Sequence, residues 1–243
     1  MTKGGALSAK DLKTLLNKSY DKKPKDHGDW KVDKSLSGQR VQVYHNPKTN
    51  ETVVAHRGTK GIHDIGNDIK YLFGSDLKDT KRYKHSENIQ KLAEEKYGSK
   101  NISTIGHSLG AKLSEVGRNT KEIINLNKAT GIQDLGKKTP ENEYNVRTKL
   151  DPVSALLPLK KADNVLTIPS KTFNPLAEHT VDVLDRVDPN KMIGKGHVKK
   201  MKVKDLKEVI KKLPKVKGEP RFKVGKKSKS ELVDYCCKRC NVE

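Results

Sequence analysis

A serine stands between two glycines in the segment Gly106-His107-Ser108-Leu109-Gly110. A serine hydroxyl becomes a good nucleophile only when a sharp turn exposes it and a neighbouring base removes its proton. The G-x-S-x-G pattern supplies such a turn between a strand and a helix, because glycine lacks the side chain that would clash where the chain reverses. A β-branched run at residues 102–105 precedes the segment, and a helix-compatible run at residues 111–116 follows it. We therefore predict that Ser108 is a catalytic nucleophile.

The acid and the base that activate such a serine are expected downstream of it, in the chain order Ser, Asp, His. Asp151 ends a strand-like run, and His179 lies in a loop beyond the last strand-like run, so we assign them as acid and base. Two alternatives stay open. Asp163 precedes a strand instead of ending one, and His197 lies among lysines that disfavour its charged form. The expected chemistry is acyl transfer through the serine, which needs no metal or cofactor.

Two motifs about 50 residues apart resemble the class 3, or fungal-type, lipase family. The first is His56-Arg57-Gly58-Thr59 followed by Asn67-Asp68, and the second is the Gly106–Gly110 turn. The similarity runs from about residue 40 to residue 180 and includes Asp151-Pro152-Val153, which resembles the family's D-P-V segment. It implies an α/β-hydrolase fold with a mostly parallel central sheet.

The resemblance also implies an oxyanion hole, formed by the backbone N–H of Leu109 and by Thr59. Such donors stabilise the negative charge that develops on a carbonyl oxygen in the transition state. Arg57 and Asp68 are expected to form an ion pair that holds the Thr59 loop. His107 belongs to the turn itself and is expected to pack beside it.

The predicted secondary structure is compatible with this fold. Ser8 is expected to cap a helix from residue 9 to about residue 18, with its leucines on one face. Residues 40–44 and 52–55 are predicted to form a β-hairpin, and residues 86–96 a helix. Further strands are predicted at residues 102–105, 123–126, 144–150 and 165–168. Strands separated by helices indicate an open, largely parallel sheet.

The positive charge is distributed unevenly along the chain. The formal net charge is +21, and residues 191–243 hold 18 Lys and Arg against 6 Asp and Glu. We therefore predict an α/β-hydrolase domain over residues 1–190 and a small basic helical module over residues 191–243. This module weakly resembles the SAP type of DNA-binding unit. Counterion release would draw it to polyanions, so the expected partner is an anionic membrane surface or nucleic acid, and a solvated lysine-rich tail is the alternative.

These features predict a serine hydrolase that cleaves carboxylic esters of lipids, as a phospholipase or a lipase. The basic surface favours a phospholipid ester over a triacylglycerol or a soluble ester, because it would concentrate the enzyme at anionic membranes. The alternative from another class is a non-catalytic protein that binds nucleic acid or anionic membranes on a hydrolase scaffold. The chain has no run of about 18 apolar residues and no secretory signal, so we expect an intracellular or virion-associated location. A lipase-like domain joined to a DNA-binding-like tail resembles lipase-like proteins of DNA viruses.

Overall fold

Seven strands form one mixed sheet in the computed structural model of this chain, which describes residues 7–59, 77–131, 134–135, 137, 139–157 and 164–194. The strands follow the chain order across the sheet: β1 (Lys31–Val32), β2 (Val41–Asn46), β3 (Glu51–His56), β4 (Ile102–His107), β5 (Glu122–Leu126), β6 (Glu143–Thr148) and β7 (Val165–Ile168). The β1–β2 and β2–β3 pairs are antiparallel, and the other four pairs are parallel. The predicted α/β fold with a mostly parallel central sheet is therefore confirmed, as is the β2–β3 hairpin.

Four α-helices and several 3₁₀ segments accompany the sheet in the described part of the chain. The helices are α1 (Ala9–Lys18), α2 (Lys81–Tyr97), α3 (Leu109–Leu113) and α4 (Pro175–Glu178), and the 3₁₀ segments include Ser114–Gly117 and Val181–Arg186. Helix α1 begins at the predicted cap, Ser8, whose hydroxyl oxygen accepts from the N–H of Asp11. Helix α2 begins five residues before the predicted start, because Thr80 caps it by accepting from the N–H of Tyr83. None of these helices is long and apolar enough to cross a membrane.

The larger apolar core lies between the sheet and α1. Leu12, Leu15 and Leu16 are wholly buried there against strand residues such as Ile105 and Ile124. Burying an aliphatic side chain of this size contributes about 1.5–3 kcal/mol, so the three leucines fix α1 firmly on the sheet. As a result Tyr20, just beyond the end of α1, is held beside the carboxyl end of β4.

The opposite face of the sheet is polar beneath α3. The hydroxyl of Ser114 donates to Asn125, and the amide of Asn125 donates to Asn145 at 3.2 Å. Next to this row the ammonium group of the wholly buried Lys128 contacts the carboxylate of Glu143. A buried charge is tolerated when it is paired and hydrogen-bonded, so these contacts account for polar side chains in the interior.

The described chain continues past residue 190 along α1. The N–H of Ala9 donates to the carbonyl oxygen of Lys191 at 2.8 Å, and the N–H of Ile193 donates to Leu7 at 2.9 Å. Ile193 is itself part of the larger core. The domain boundary at residue 190 stays a prediction. The predicted basic helical module lies outside the described residues from residue 195 onward.

Candidate active site

Ser108 occupies the sharp turn between β4 and α3. Its backbone has φ 59° and ψ −125°, a conformation that residues other than glycine rarely adopt. Two backbone hydrogen bonds hold it there: the N–H of Ser108 donates to Leu126 at 3.1 Å, and the N–H of Ala129 donates to the carbonyl oxygen of Ser108 at 3.2 Å. Both partners come from the end of β5 or just beyond it. This strand–turn–helix unit has the geometry that a nucleophile turn requires.

The structure brings together the three residues that we predicted as nucleophile, base and acid. Nε2 of His179 lies 2.9 Å from Oγ of Ser108, and Nδ1 of His179 lies 2.6 Å from Oδ1 of Asp151. An ionised carboxylate only accepts, so Nδ1 carries the proton and Nε2 presents its lone pair to the serine hydroxyl. The hydroxyl of Ser108 then donates to Nε2, which is the arrangement that a general base requires.

The second carboxylate oxygen of Asp151 is also held. It accepts from the N–H of Ser154 at 2.8 Å and from the hydroxyl of Ser154. Nε of Arg147 donates to that same hydroxyl at 3.2 Å. Asp151 is buried and both of its carboxylate oxygens are held by donors, so it keeps the His179 ring in one orientation.

The segment that carries His179 is anchored by the residue before it. One oxygen of the buried Glu178 accepts from Arg186 at 2.5 Å, and the other accepts from the backbone N–H groups of residues 171–172. The Arg186 hydrogen bond holds the pKa of Glu178 at about 2, despite its burial. The carbonyl oxygen of Glu178 accepts from the amide of Asn127, which follows β5. The backbone next to His179 is thereby tied to the loop that follows β5, the neighbour of β4 in the sheet.

The loop that follows β3 is held by Arg82 from helix α2. One guanidinium nitrogen of Arg82 donates to the carbonyl oxygens of Arg57 and Gly58, at 2.5 Å and 3.1 Å. The side chain of Arg57 donates to the carbonyl oxygen of Gln39 at 3.1 Å. The predicted partner of Arg57, Asp68, lies outside the described residues, so that ion pair stays a prediction.

The same loop lies directly against the nucleophile turn. A Cβ atom added to Gly58 would sit 2.6 Å from the carbonyl oxygen of His107, so only glycine allows this approach. Thr59 follows Gly58, and Leu109 is the first residue of α3, whose N–H has no acceptor within its own helix. Both predicted oxyanion donors therefore belong to segments that meet at Ser108. Their role stays a prediction.

Three residues at the site carry no motif in the sequence. They are Tyr20, whose hydroxyl contacts His107, together with Arg82 and Glu178. The position of Glu178 next to a candidate base was the one available signal. His107 is buried beside the turn, as we expected.

The two alternative assignments, Asp163 and His197, lie outside the described residues. Within the described ranges no group of three or more His, Cys, Asp or Glu side chains is arranged to hold a metal ion. Of the candidate acids and bases that the sequence offers, the described residues include Asp151 and His179, which contact one another.

No protein-family model and no curated protein matches this chain. Among solved structures, the chain is similar to a triacylglycerol lipase from Penicillium expansum, with 16% identity, a TM-score of 0.44, and coverage of 78% of this chain and 91% of that one. It is also similar to the Lip2 lipase from Yarrowia lipolytica, with 14% identity, a TM-score of 0.43, and coverage of 70% and 80%. No residue role in this chain rests on these similarities.

Proposed function

We propose that this protein is a serine hydrolase that cleaves carboxylic esters of lipids through an acyl-enzyme. One observation carries the proposal: a continuous hydrogen-bonded row runs from Oγ of Ser108 through both ring nitrogens of His179 to Asp151. The serine also has the positive φ of a nucleophile turn. A buried serine, imidazole and carboxylate in this order have the geometry of a nucleophile, a base and its orienting acid.

The reaction would proceed in two acyl-transfer steps. Oγ of Ser108 attacks the ester carbonyl carbon while its proton passes to Nε2 of His179, and Asp151 stabilises the resulting imidazolium. The N–H of Leu109 and Thr59 would donate to the oxyanion. The C–O bond then breaks, the alcohol leaves with the proton from His179, and the acyl group stays on Ser108. Water attacks the acyl-enzyme by the same route, with His179 as base, and releases the carboxylic acid.

A lipid substrate is supported by apolar side chains around the site. Five large hydrophobic residues are exposed in the described part of the chain, and three of them lie within six residues of Asp151 or His179 in the sequence: Leu150, Phe173 and Leu176. Leu150 directly precedes Asp151, and Phe173 is 95% exposed in the segment that leads to His179. An exposed apolar rim of this kind favours a water-insoluble substrate.

A phospholipid is our proposed lipid class, on the basis of charge. Lys149 and Lys171 are exposed next to the apolar rim, and residues 191–243 add the excess of 12 positive charges described above. Both would attract an anionic lipid surface. The matching test compares fatty-acid release from vesicles with and without an anionic phospholipid and from a triacylglycerol emulsion. Equal rates on all three would argue against the phospholipid preference, and stronger binding to duplex DNA than to vesicles would favour nucleic acid as the partner of the basic segment.

Labelling with a fluorophosphonate probe tests the enzyme assignment itself, because the probe reacts with an activated serine. The wild-type protein should be labelled and Ser108→Ala should not, whereas a control variant, Ser99→Ala, should be labelled as the wild type is. Ser99 lies beyond α2 at the amino end of β4, away from the turn. A folded wild-type protein that neither reacts with the probe nor releases acid from any ester would favour the alternative, a non-catalytic binding protein on a hydrolase scaffold.

A further inference from the structure

The hydroxyl of Tyr20 lies where three segments of the candidate site meet. It is 2.8 Å from Nδ1 of His107 in the nucleophile turn, and it forms a hydrogen bond with the backbone of Gly58 in the Thr59 loop. The Gly58 backbone acts through its N–H, because its hydrogen bond opposes the rise in the pKa of Tyr20, as a donor to the phenol oxygen does. Burial raises the pKa of Tyr20 to about 12, so the hydroxyl keeps its proton at neutral pH and can donate as well as accept.

His107 continues this contact to the base. Its Nε2 lies 2.6 Å from the backbone carbonyl oxygen of His179, and a carbonyl oxygen only accepts, so Nε2 carries the proton. Burial lowers the pKa of His107 to about 3, which keeps the ring neutral and leaves Nδ1 as an acceptor for Tyr20. The donors and acceptors therefore all point one way: Gly58 N–H to the Tyr20 oxygen, Tyr20 O–H to His107, and His107 N–H to His179.

We propose that Tyr20 and His107 are positioning residues, whose single row of hydrogen bonds links the Thr59 loop, the Ser108 turn and the His179 segment. This role rests on the proposed ester hydrolysis. It explains what keeps the Thr59 loop, the Ser108 turn and the His179 segment in fixed positions relative to one another. The hydrogen bonds of Tyr20 and His107 reach the backbone of His179 and not its ring. They therefore set the distance from Nε2 of His179 to Oγ of Ser108. A misplacement of about 1 Å in such a contact is enough to slow a reaction by orders of magnitude.

The neutral state of His107 also suits the reaction. Its ring centroid lies 4.9 Å from that of His179, which becomes positively charged when it accepts the serine proton. A second positive charge at this distance would oppose that proton transfer. Tyr20 donates to Nδ1 and so leaves the ring neutral while it fixes the tautomer.

The first variant to test is Tyr20→Phe, which keeps the aromatic ring and removes only the hydroxyl. We expect kcat on a soluble short-chain ester to fall about 10-fold, as for the loss of one buried hydrogen bond, with KM changed less than about twofold. The control is Tyr97→Phe, because the hydroxyl of Tyr97 donates to Asp33 at 2.9 Å near the opposite edge of the sheet. If kcat of Tyr20→Phe equals that of the wild type and the control, the row does not position the base.

A second variant separates action through His107 from a general loss of stability. In His107→Gln the amide nitrogen can still donate to the carbonyl oxygen of His179, but the acceptor for Tyr20 is lost. Tyr20→Phe should therefore reduce kcat much less in the His107→Gln background than in the wild type, because both changes break the same link. Fully additive effects on kcat would overturn the proposal, since they would mean that Tyr20 does not act through His107.

Nitrogen-15 NMR of the histidine rings gives a readout that does not depend on catalysis. In the wild type His107 should show a neutral ring protonated at Nε2 from about pH 5 to pH 8, and Tyr20→Phe should shift its Nδ1 signal. A charged ring or a proton on Nδ1 would contradict the row. A wild-type protein inert to esters and to the fluorophosphonate probe would reject the proposed function, and the NMR result would still decide whether the row exists.

Discussion

Asp151 and His179 form the contact that orients the candidate base. Oδ1 of Asp151 lies 2.6 Å from Nδ1 of His179, and Ser154 holds the other oxygen of the same carboxylate. With both oxygens held, the carboxylate cannot rotate without breaking a hydrogen bond. The ring of His179 is therefore fixed with Nε2 toward Ser108, at 2.9 Å.

Replacing the carboxylate by an amide should remove this control of the tautomer. In Asp151→Asn the amide can present its NH₂ group to Nδ1, which then must accept, so the proton moves to Nε2 and the lone pair is lost to Ser108. We expect kcat on a soluble ester to fall by about 10²- to 10⁴-fold with the fold retained. Steady-state kinetics and circular dichroism measure both, and Asp182→Asn, an exposed carboxylate paired with Lys13, is the control. Activity within about threefold of the wild type would exclude Asp151 as the orienting acid.

Arg82 is expected to affect kcat because it holds the loop that contains Thr59. Its guanidinium bridges two consecutive carbonyl oxygens, those of Arg57 and Gly58. One nitrogen of the rigid guanidinium makes both contacts, and lysine carries its ammonium group on a flexible stem that does not hold it in this place, so Arg82→Lys should loosen the loop that contains Thr59. We expect kcat to fall about 10-fold, less than the effect of losing an oxyanion donor outright. Arg118→Lys, an exposed arginine that pairs with Glu115, is the control, and equal kcat in both variants would contradict the role.

The sequence predicts that Ser108, Asp151 and His179 belong to one site because each residue follows a local rule. Ser108 lies in a five-residue turn pattern, and Asp151 and His179 follow recognisable strands in the expected order. The structure ends β6 at Thr148, and residues 149–150 form a turn before Asp151, so Asp151 does not directly follow the strand. The sequence pattern predicted that this strand ends at Leu150, two residues later than it does, because Leu150 is apolar although it is exposed.

The supporting residues could not be predicted, since they depend on contacts between distant parts of the chain. Tyr20 and His107 are separated by 87 residues, and nothing near Tyr20 in the sequence distinguishes it from an ordinary loop tyrosine. The ion pair of Lys128 and Glu143 is similarly hidden, because single lysines and glutamates are usually interpreted as surface residues. Only the packing of α1 and the order of strands in the sheet bring these groups together.

Phe173 provides a test of the lipid proposal that leaves the chemistry unchanged. Its side chain is 95% exposed, so Phe173→Ser should not disturb the core. We expect hydrolysis of vesicles or emulsions to fall about 5- to 10-fold, because an anchoring aromatic surface is lost, while hydrolysis of a soluble short-chain ester stays unchanged. Leu92→Ser on α2 removes another exposed apolar residue away from the rim and should affect neither substrate. Equal loss on both substrates would point to a structural role for Phe173.

A shortened chain should decide between His179 and His197 as the base. The described contacts of residues 191–193 with α1 mean that a chain ending at Asn190 loses part of the core, whereas one ending at Gly194 keeps it. The chain ending at Gly194 should therefore retain kcat on a soluble ester and a wild-type melting temperature. Under the same conditions His179→Ala in the full-length chain should be inactive. The opposite pattern, an inactive shortened chain and an active His179→Ala, would assign the base to His197.

The stability of the fold should fall between neutral pH and about pH 5, because two histidines are buried in the neutral state. Burial lowers the pKa of His56 to about 4 and that of His107 to about 3, from an ordinary value of 6.5. Above pH 6.5 neither ring is charged in the folded or the unfolded chain, so their contribution to stability is complete. Below that pH the unfolded chain binds protons that the folded chain does not, and stability is lost until the folded pKa values are reached.

At pH 5 the expected loss is about 2 kcal/mol for each of the two rings. Carboxylates with lowered pKa values, such as those of Asp33 and Glu178, add to the loss only at more acidic pH, below their ordinary pKa values of 3.8 and 4.5. Urea unfolding at about pH 8, 6.5 and 5 measures the dependence, and His56→Gln should show about half of it because one titrating ring is gone. A wild-type free energy of unfolding that is the same at pH 8 and at pH 5 would mean that burial does not hold His56 and His107 neutral in the folded state. A pH dependence that is unchanged in His56→Gln would exclude the contribution of His56 alone.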